Sequence, residues 1–262
     1  MRALWPLLLL LALHAPAGAE APAIGLIIDD MGYDLAAGRS ALALPGAVTY
    51  AFIPATANAV SLAREAYDRG KEIIVHLPMQ ADGGRPLEAG GLTRDMTPAE
   101  LRGAVAAGLA AVPHARGANN HMGSLLTRDA RAMEAVMGAL SAGPYYFVDS
   151  RTTDASVAEQ TARRHGVAAT RRDVFLDNVQ DESYVAAQFD LLVEMALERG
   201  HAVGIAHPYP ETLAVLQRRL PGLAERGVGV LPVSRIIERQ RREPLWHASS
   251  SPLPKVAKNS KP

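Results

Sequence analysis

Short apolar runs of strand length recur along the chain, with segments of helical length between them. This alternation restricts the fold more than any other feature of the sequence. The runs fall at residues 24–28, 48–52, 72–76, 117–119, 146–148, 168–170, 201–206 and 229–231. A continuous apolar run suits a strand buried on both faces, the condition of a parallel sheet covered by helices. Helices are expected over residues 34–43, 58–69, 98–111, 129–141, 156–165, 181–199 and 210–226. Thr97-Pro98-Ala99-Glu100 reads as a capping box with Pro at the first helical position, and Gly70, Gly143, Gly166, Gly200 and Gly227 stand where helix C-caps belong. Such a βα series either closes into a barrel-like α/β fold or spreads as an open doubly wound sheet, and the run lengths fit both.

The two ends of the chain read differently from its middle. MRALWPLLLLLALHAPAGAEA joins one Arg, an apolar core from Leu7 to Leu13 and a small-residue end at Ala17-Gly18-Ala19. This is the pattern of a secretory signal peptide over residues 1–19, and its apolar core is too short to span a bilayer. Residues 20–242 then form one domain. Residues 243–262, with Ser249-Ser250-Ser251, Pro252, Pro254 and three Lys, lack apolar periodicity and are expected to be a disordered tail. Export permits disulfides, yet the chain has no cysteine, so its core must suffice without them. A Gram-negative periplasm fits both facts. The balance of 27 basic and 27 acidic residues leaves no electrostatic footprint for nucleic acid or anionic lipid, so neither partner is expected, nor a membrane once the signal is cleaved.

Polar residues gather where the apolar runs stop. Asp29 and Asp30 follow the first, His76 ends the third, Asn119-Asn120-His121 the fourth and Asp149-Ser150-Arg151 the fifth. Arg172-Asp173 and Asp177-Asn178 follow the sixth, and His207 the seventh. In a parallel α/β fold the carboxyl ends of the strands share one face, so these groups would converge. Imidazole and carboxylate holding a divalent ion, with a second carboxylate as base and a His as acid, make the chemistry of metal-assisted hydrolysis. Adjacent residues of a strand point to opposite sides, which would send one Asp toward metal and the other toward water. Blander roles compete: Asp29 or Asp30 as the cap of the helix near Asp34, His76 as a core histidine bonded to backbone, Asp149 as an ion-pair partner of Arg151 or Arg172. There is no Walker loop, GxGxxG, GxSxG, HExxH or CxxC.

The order IIDDMGY, HLPMQ, GANNHMGS, YFVDSRT, RDVFLDN and GIAHPYPETL over residues 22–240 resembles the divergent polysaccharide deacetylases, relatives of carbohydrate esterases with the NodB-homology fold. The resemblance implies a distorted (β/α) barrel of about seven strands, a divalent metal, zinc foremost, and removal of acetyl groups from N-acetylated glycans. It makes Asp29 the general base, Asp30 a metal ligand and His207 the general acid. His76 matches the first His of the family's second motif, H-S/T-x-x-H, but Gln80 stands where the second His belongs. His121, from the neighbouring strand end, is the simplest substitute as third ligand. Asn120, Asp149 and Arg172 are the expected substrate-binding residues, with Arg172 or Arg151 orienting carboxylates. The altered second motif also supports another reading, a weak or inactive envelope protein that binds a glycan or a protein partner. Action on a peptide or other amide is a third, because metal, base and acid serve any acyl transfer.

Overall fold

The computed structural model describes residues 20–242, so the expected signal peptide and tail lie outside the described residues. Strands and helices alternate: β1 (Ala23–Met31), α1 (Leu35–Leu42), β2 (Thr49–Phe52), α2 (Ala59–Asp68), β3 (Glu72–Met79), α3 (Pro98–Ala111), β4 (Gly117–Met122) and α4 (Ala130–Leu140). There follow β5 (Tyr146–Asp149), α5 (Ala158–Arg164), β6 (Ala169–Arg171), β7 (Val174–Phe175), α6 (Glu182–Arg199), β8 (His201–Ala206), α7 (Pro210–Arg219), β9 (Gly229–Leu231) and α8 (Val233–Arg242). All strand pairings are parallel, in the order β6-β5-β4-β3-β2-β1-β8-β7, with β9 beside β1. The sheet curls into a half-barrel whose edge strands β6 and β7 are consecutive in the chain but not paired. The barrel-like alternative is the one adopted.

The helix starts follow the local chemistry. Thr97 and Glu100 form the reciprocal capping box of α3, and Asp34, Asp129 and Asp181 cap α1, α4 and α6 through backbone N–H groups. Each such cap is worth about 1 kcal/mol. Asp34 caps its own helix, which leaves Asp29 and Asp30 free of that duty.

The elements depart from expectation in three places. Among the described residues the sheet has nine strands, the eight expected runs and β7, which at two residues is too short to show a period. The helix expected over 210–226 stops at Arg219 and gives way to a 3-10 turn over Leu220–Leu223, since Pro221 has no N–H with which to continue the α-helical ladder. The arginine-rich stretch after β9 is a helix, α8, which the apolar-run criterion passes over.

That last helix closes the bottom of the half-barrel. Val233, Ile236 and Ile237 of α8 pack with the inward residues Ile27, Ala51, Ile74, Val148, Val203 and Ile205 into one interior cluster. Gly25 admits the helix: a Cβ there would lie 3.0 Å from Ile236. The N-terminus of α8 is tied down where Thr49 Oγ1 accepts from Val233 N at 3.1 Å and Glu72 Oε1 from Ser234 N at 3.2 Å. The larger core lies outside the sheet, between its convex face and the other helices. With the bottom plugged by α8, the barrel interior opens at the carboxyl ends of the strands, which line a cleft.

Candidate active site

Strand alternation carries the interior pattern upward. Ile27, Ile74 and Ile205 point into the barrel, so two residues further on Asp29, His76 and His207 point the same way. On β4, Asn119 pairs with His76 and Val148, and His121 lies two residues beyond it. β1, β3 and β4 extend past the apolar runs to Met31, Met79 and Met122.

Asp29 and His76 are each 2% exposed and share one partner, Asn119. The Asn119 amide donates to Asp29 Oδ1 at 2.7 Å, and its Oδ1 lies 2.7 Å from His76 Nδ1. This geometry places the ring proton of His76 on Nδ1 and leaves Nε2 as the bare lone pair facing Asp29 Oδ2 at 3.6 Å and Asp30 Oδ1 at 3.2 Å. Burial pushes the Asp29 carboxyl up, against the pull of His76, His207 and the Asn119 hydrogen bond.

Asp30 reaches the same hollow by a backbone device. The β1–β2 register is irregular between Ile28 and Met31, and Asp30 has φ 55°. This left-handed conformation, which Asp tolerates better than most residues, turns its side chain back toward that of Asp29. The two carboxylates therefore converge instead of parting as strict alternation requires. Gly32 (φ 118°) completes the turn; a Cβ there would fall 2.0 Å from Thr56 Oγ1.

Three ligand-type atoms meet at Asp30. Its Oδ1 lies 3.2 Å from His76 Nε2 and 2.9 Å from His121 Nδ1, and the two ring nitrogens are 3.1 Å apart. Asp30, His76 and His121 offer donors all within 4.8 Å of one another. Asp30 Oδ1 is buried and faces two ring nitrogens at once, the arrangement of donor atoms that a shared cation would satisfy. Burial opposes ionisation of Asp30, yet the ring nitrogens of His121 and His76 hold its carboxyl well below the usual carboxylate range. The donor set of two imidazoles and one carboxylate fits a divalent transition metal with open positions.

His207 closes the other side, with Nε2 3.8 Å from Asp30 Oδ2. Asp177, fully buried, accepts from His207 Nδ1 at 2.9 Å, His207 N at 2.6 Å and Thr212 Oγ1 at 2.9 Å. Burial draws the imidazole down, but Asp177 overcomes it and His207 is raised to about 9. Phe175 and Tyr209 pack against the ring on either side. Above these groups opens a cleft of about 720 Å³, lined among others by Arg85, Arg151, Arg172, Tyr184 and Tyr209.

Of the remaining expected residues, Asn120 and Arg172 line this cleft, while their polar groups are engaged by the fold. Asn120 accepts from Ser150 N and donates to Met122 O; Arg172 donates to Ser150 O and Arg151 O, each at 2.7 Å. Asp149 accepts from Arg151 N and Ser156 Oγ, organising the turn into α5. Gln80 is committed elsewhere: its Oε1 accepts from Arg94 N at 2.9 Å and pins the strap of residues 80–97. Sequence reasoning assigned no role to Asn119, Asp177 or Glu88. Asn119 was legible as the residue two before His121; Asp177 and Glu88 lie outside any periodic segment.

Residues 26–237 match the family described as divergent polysaccharide deacetylase. The chain belongs to this family. It is 37% identical over 214 residues to the uncharacterized protein YibQ of Escherichia coli, covering 82% of this chain and 66% of that protein. An uncharacterized protein of Haemophilus influenzae is 38% identical over 202 residues, 77% of this chain and 72% of the other. The chain thus spans about two thirds of the length of the E. coli relative. A crystal structure of an uncharacterized protein from Agrobacterium tumefaciens superposes with TM-score 0.80 at 21% identity, over 84% of this chain and 91% of that one. The fold is shared at greater distance by a deacetylase solved with substrate (TM-score 0.52, 13% identity, 84% and 92% covered). It is also shared by a CE4 family pseudoenzyme of Bacillus anthracis (0.51, 12%, 84% and 66%). At these identities the likeness to the solved structures is one of fold alone.

Proposed function

We propose that the protein is an exported, periplasmic, metal-dependent hydrolase that removes acetyl groups from an N-acetylated glycan. The observation that carries this reading is the convergence of Asp29, His76, His121 and His207 in one open cleft of a deacetylase fold, with Asp30 against both His76 and His121. Asp30, His76 and His121 would hold a divalent ion, with zinc the best match to their nitrogen and oxygen donors. When bound, such an ion polarises the acyl carbonyl and acidifies the water beside it.

The chain's own groups divide the proton transfers. Asp29, pushed up by burial and steered by Asn119, is placed to take the proton from water as its oxygen adds to the acetamide carbon. His207, kept protonated by Asp177, is placed to give a proton to the amine nitrogen as the C–N bond breaks. Acetate and the free amino sugar leave. One buried carboxyl raised and one imidazole raised is the separation of base and acid that amide hydrolysis near neutral pH needs.

The test is acetate release from N-acetylglucosamine oligomers and peptidoglycan fragments with zinc, cobalt or nickel added. Release by the wild type that Asp29→Asn and His207→Ala each reduce at least about 10²-fold supports the reading. Stoichiometric metal without release from any acylated glycan would favour the binding protein, for which the commitment of Gln80 to the strap is the supporting observation.

A further inference from the structure

The cleft carries more positive charge than the proposed chemistry uses. Arg85, Arg151 and Arg172 line it, against two lining carboxylates, Asp29 and Asp173. Asp29 is pushed up by burial, and Asp173 is engaged elsewhere, accepting from Val203 N at 2.8 Å and standing 3.8 Å from Arg199. The whole chain is balanced at 27 basic and 27 acidic residues, so the excess belongs to this cleft. Arg172 is the most constrained of the three. Its Nε donates to Ser150 O and its Nη2 to Arg151 O, each at 2.7 Å, and the guanidinium lies over the Phe175 ring at 5.1 Å. These contacts fix one edge and one face of the planar group. The opposite edge, Nη1 with the second proton of Nη2, has no protein acceptor, and Nη1 is not buried. Among the described residues neither Arg172 nor Arg85 has a carboxylate within ion-pair distance. Burial pulls the Arg172 guanidinium below its usual value, with Asp149 opposing. A half-buried cation held rigid without a counter-ion is arranged for an anion from outside, and the free edge of a guanidinium matches the two oxygens of a carboxylate. Phe175 also packs on His207 at 5.3 Å, which sets Arg172 beside the proposed acid.

Arg85 approaches from the strap of residues 80–97, which follows β3, whereas Arg172 follows β6, with β5 and β4 between them in the sheet. The strap is held in place by Gln80 Oε1 on Arg94 N and by Asp82, which pairs with Arg128 at 2.7 Å. Its Glu88 accepts from the Tyr33 hydroxyl and stands 3.8 Å from His121 Nε2. Arg85 itself is exposed. We propose that the cleft selects an acylated glycan that carries a carboxylate, which Arg172 binds through its free guanidinium edge while Arg85 draws it in. This rests on the glycan reading above and names the class of glycan.

The test measures binding by calorimetry at low salt, with and without zinc; where acetate is released, the ratio of kcat/KM values replaces the ratio of affinities. Oligosaccharides that alternate N-acetylglucosamine with glucuronic acid, or with N-acetylmuramic acid, are each compared with the form whose carboxyl is converted to an amide. The first carries its carboxylate on the ring and the second on an ether side chain, so the two arms tell these sources apart. Wild type should prefer at least one acid form over its amide by about 10- to 100-fold. Arg172→Gln should lose most of that preference. Arg85→Ala, an exposed change that spares the fold, should lose a few-fold of it. Equal affinity for acid and amide would overturn the proposal, as would no binding of either acid form. So would a preference that both variants retain, even with Arg172→Gln slower on every glycan, which would make Arg172 a support of the turn and of Asp29 only. The expected preference without acetate release would leave the proposal standing and overturn the deacetylase reading alone.

Discussion

His76 and His121 meet at the same carboxylate oxygen, yet one belongs to the floor of the cleft and the other to its rim. His76 sits mid-strand on β3, 2% exposed, its second nitrogen bonded to an asparagine that is itself fully buried. His121 lies near the end of β4 with its side chain 16% exposed, and the group across from its second nitrogen comes from a strap rich in left-handed glycines, Gly83, Gly84 and Gly90. The floor is fixed by the pleat of the sheet and by core packing. The rim depends on a left-handed Asp30, loops and the strap. A site built this way carries Asp29 and His76 on rigid elements, and completes the proposed metal set with parts whose stability is local.

The strongest way to break this contrast is Asp30→Asn, which removes the one charge both imidazoles address. Losing a partner from a cluster of this kind costs about 3–5 kcal/mol, so zinc affinity by chelator competition should fall by about 10²- to 10⁴-fold. An unchanged affinity would mean that the floor binds metal without the rim. Next in size is Asn119→Leu, which leaves Asp29 Oδ1 and His76 Nδ1 buried without partners at about 1–3 kcal/mol for each group. Denaturant unfolding should show that loss, whereas Glu88→Ala on the half-buried rim should change unfolding by under about 1 kcal/mol. Equal losses in the two variants would erase the distinction between floor and rim.

The pH dependence separates the regions further. His207 is raised from 6.5 to about 9, so its contribution to stability is fully present below pH 6.5 and is lost as pH rises through about 9. Deacetylation with His207 as acid should decline over that basic limb, and Asp177→Asn should move the limb toward neutral pH. A limb that stays in place would show that Asp177 does not set the acid. The smallest effect is expected from Tyr33→Phe: loss of the hydroxyl on Glu88 removes one half-exposed hydrogen bond, worth about 0.5–1.5 kcal/mol. Denaturant unfolding should show a loss no larger than that.

The same division describes what the sequence made legible. Asp29, His76 and His207 were legible because each ends a continuous apolar run, and the carboxyl ends of parallel strands share one face. The alternation argument failed at Asp30, where it predicts divergence from Asp29, because a positive φ and a register shift leave no signature in residue types. Asn119 was overshadowed by its neighbour Asn120, although its place two residues before His121 puts it on the ligand face. Glu88 and Asp177 are brought in by non-periodic segments, and only the folded chain shows what they touch. β7 and α8 went unseen for a related reason: one is two residues long, and the other hides three buried apolar residues among arginines.

The most direct test of the whole account is anomalous scattering at the zinc edge from crystals grown with zinc. The account predicts one strong peak per chain at coordination distance from Asp30 Oδ1, His76 Nε2 and His121 Nδ1, and its loss in Asp30→Asn. A zinc peak elsewhere in the cleft, or none at these three atoms, would contradict it.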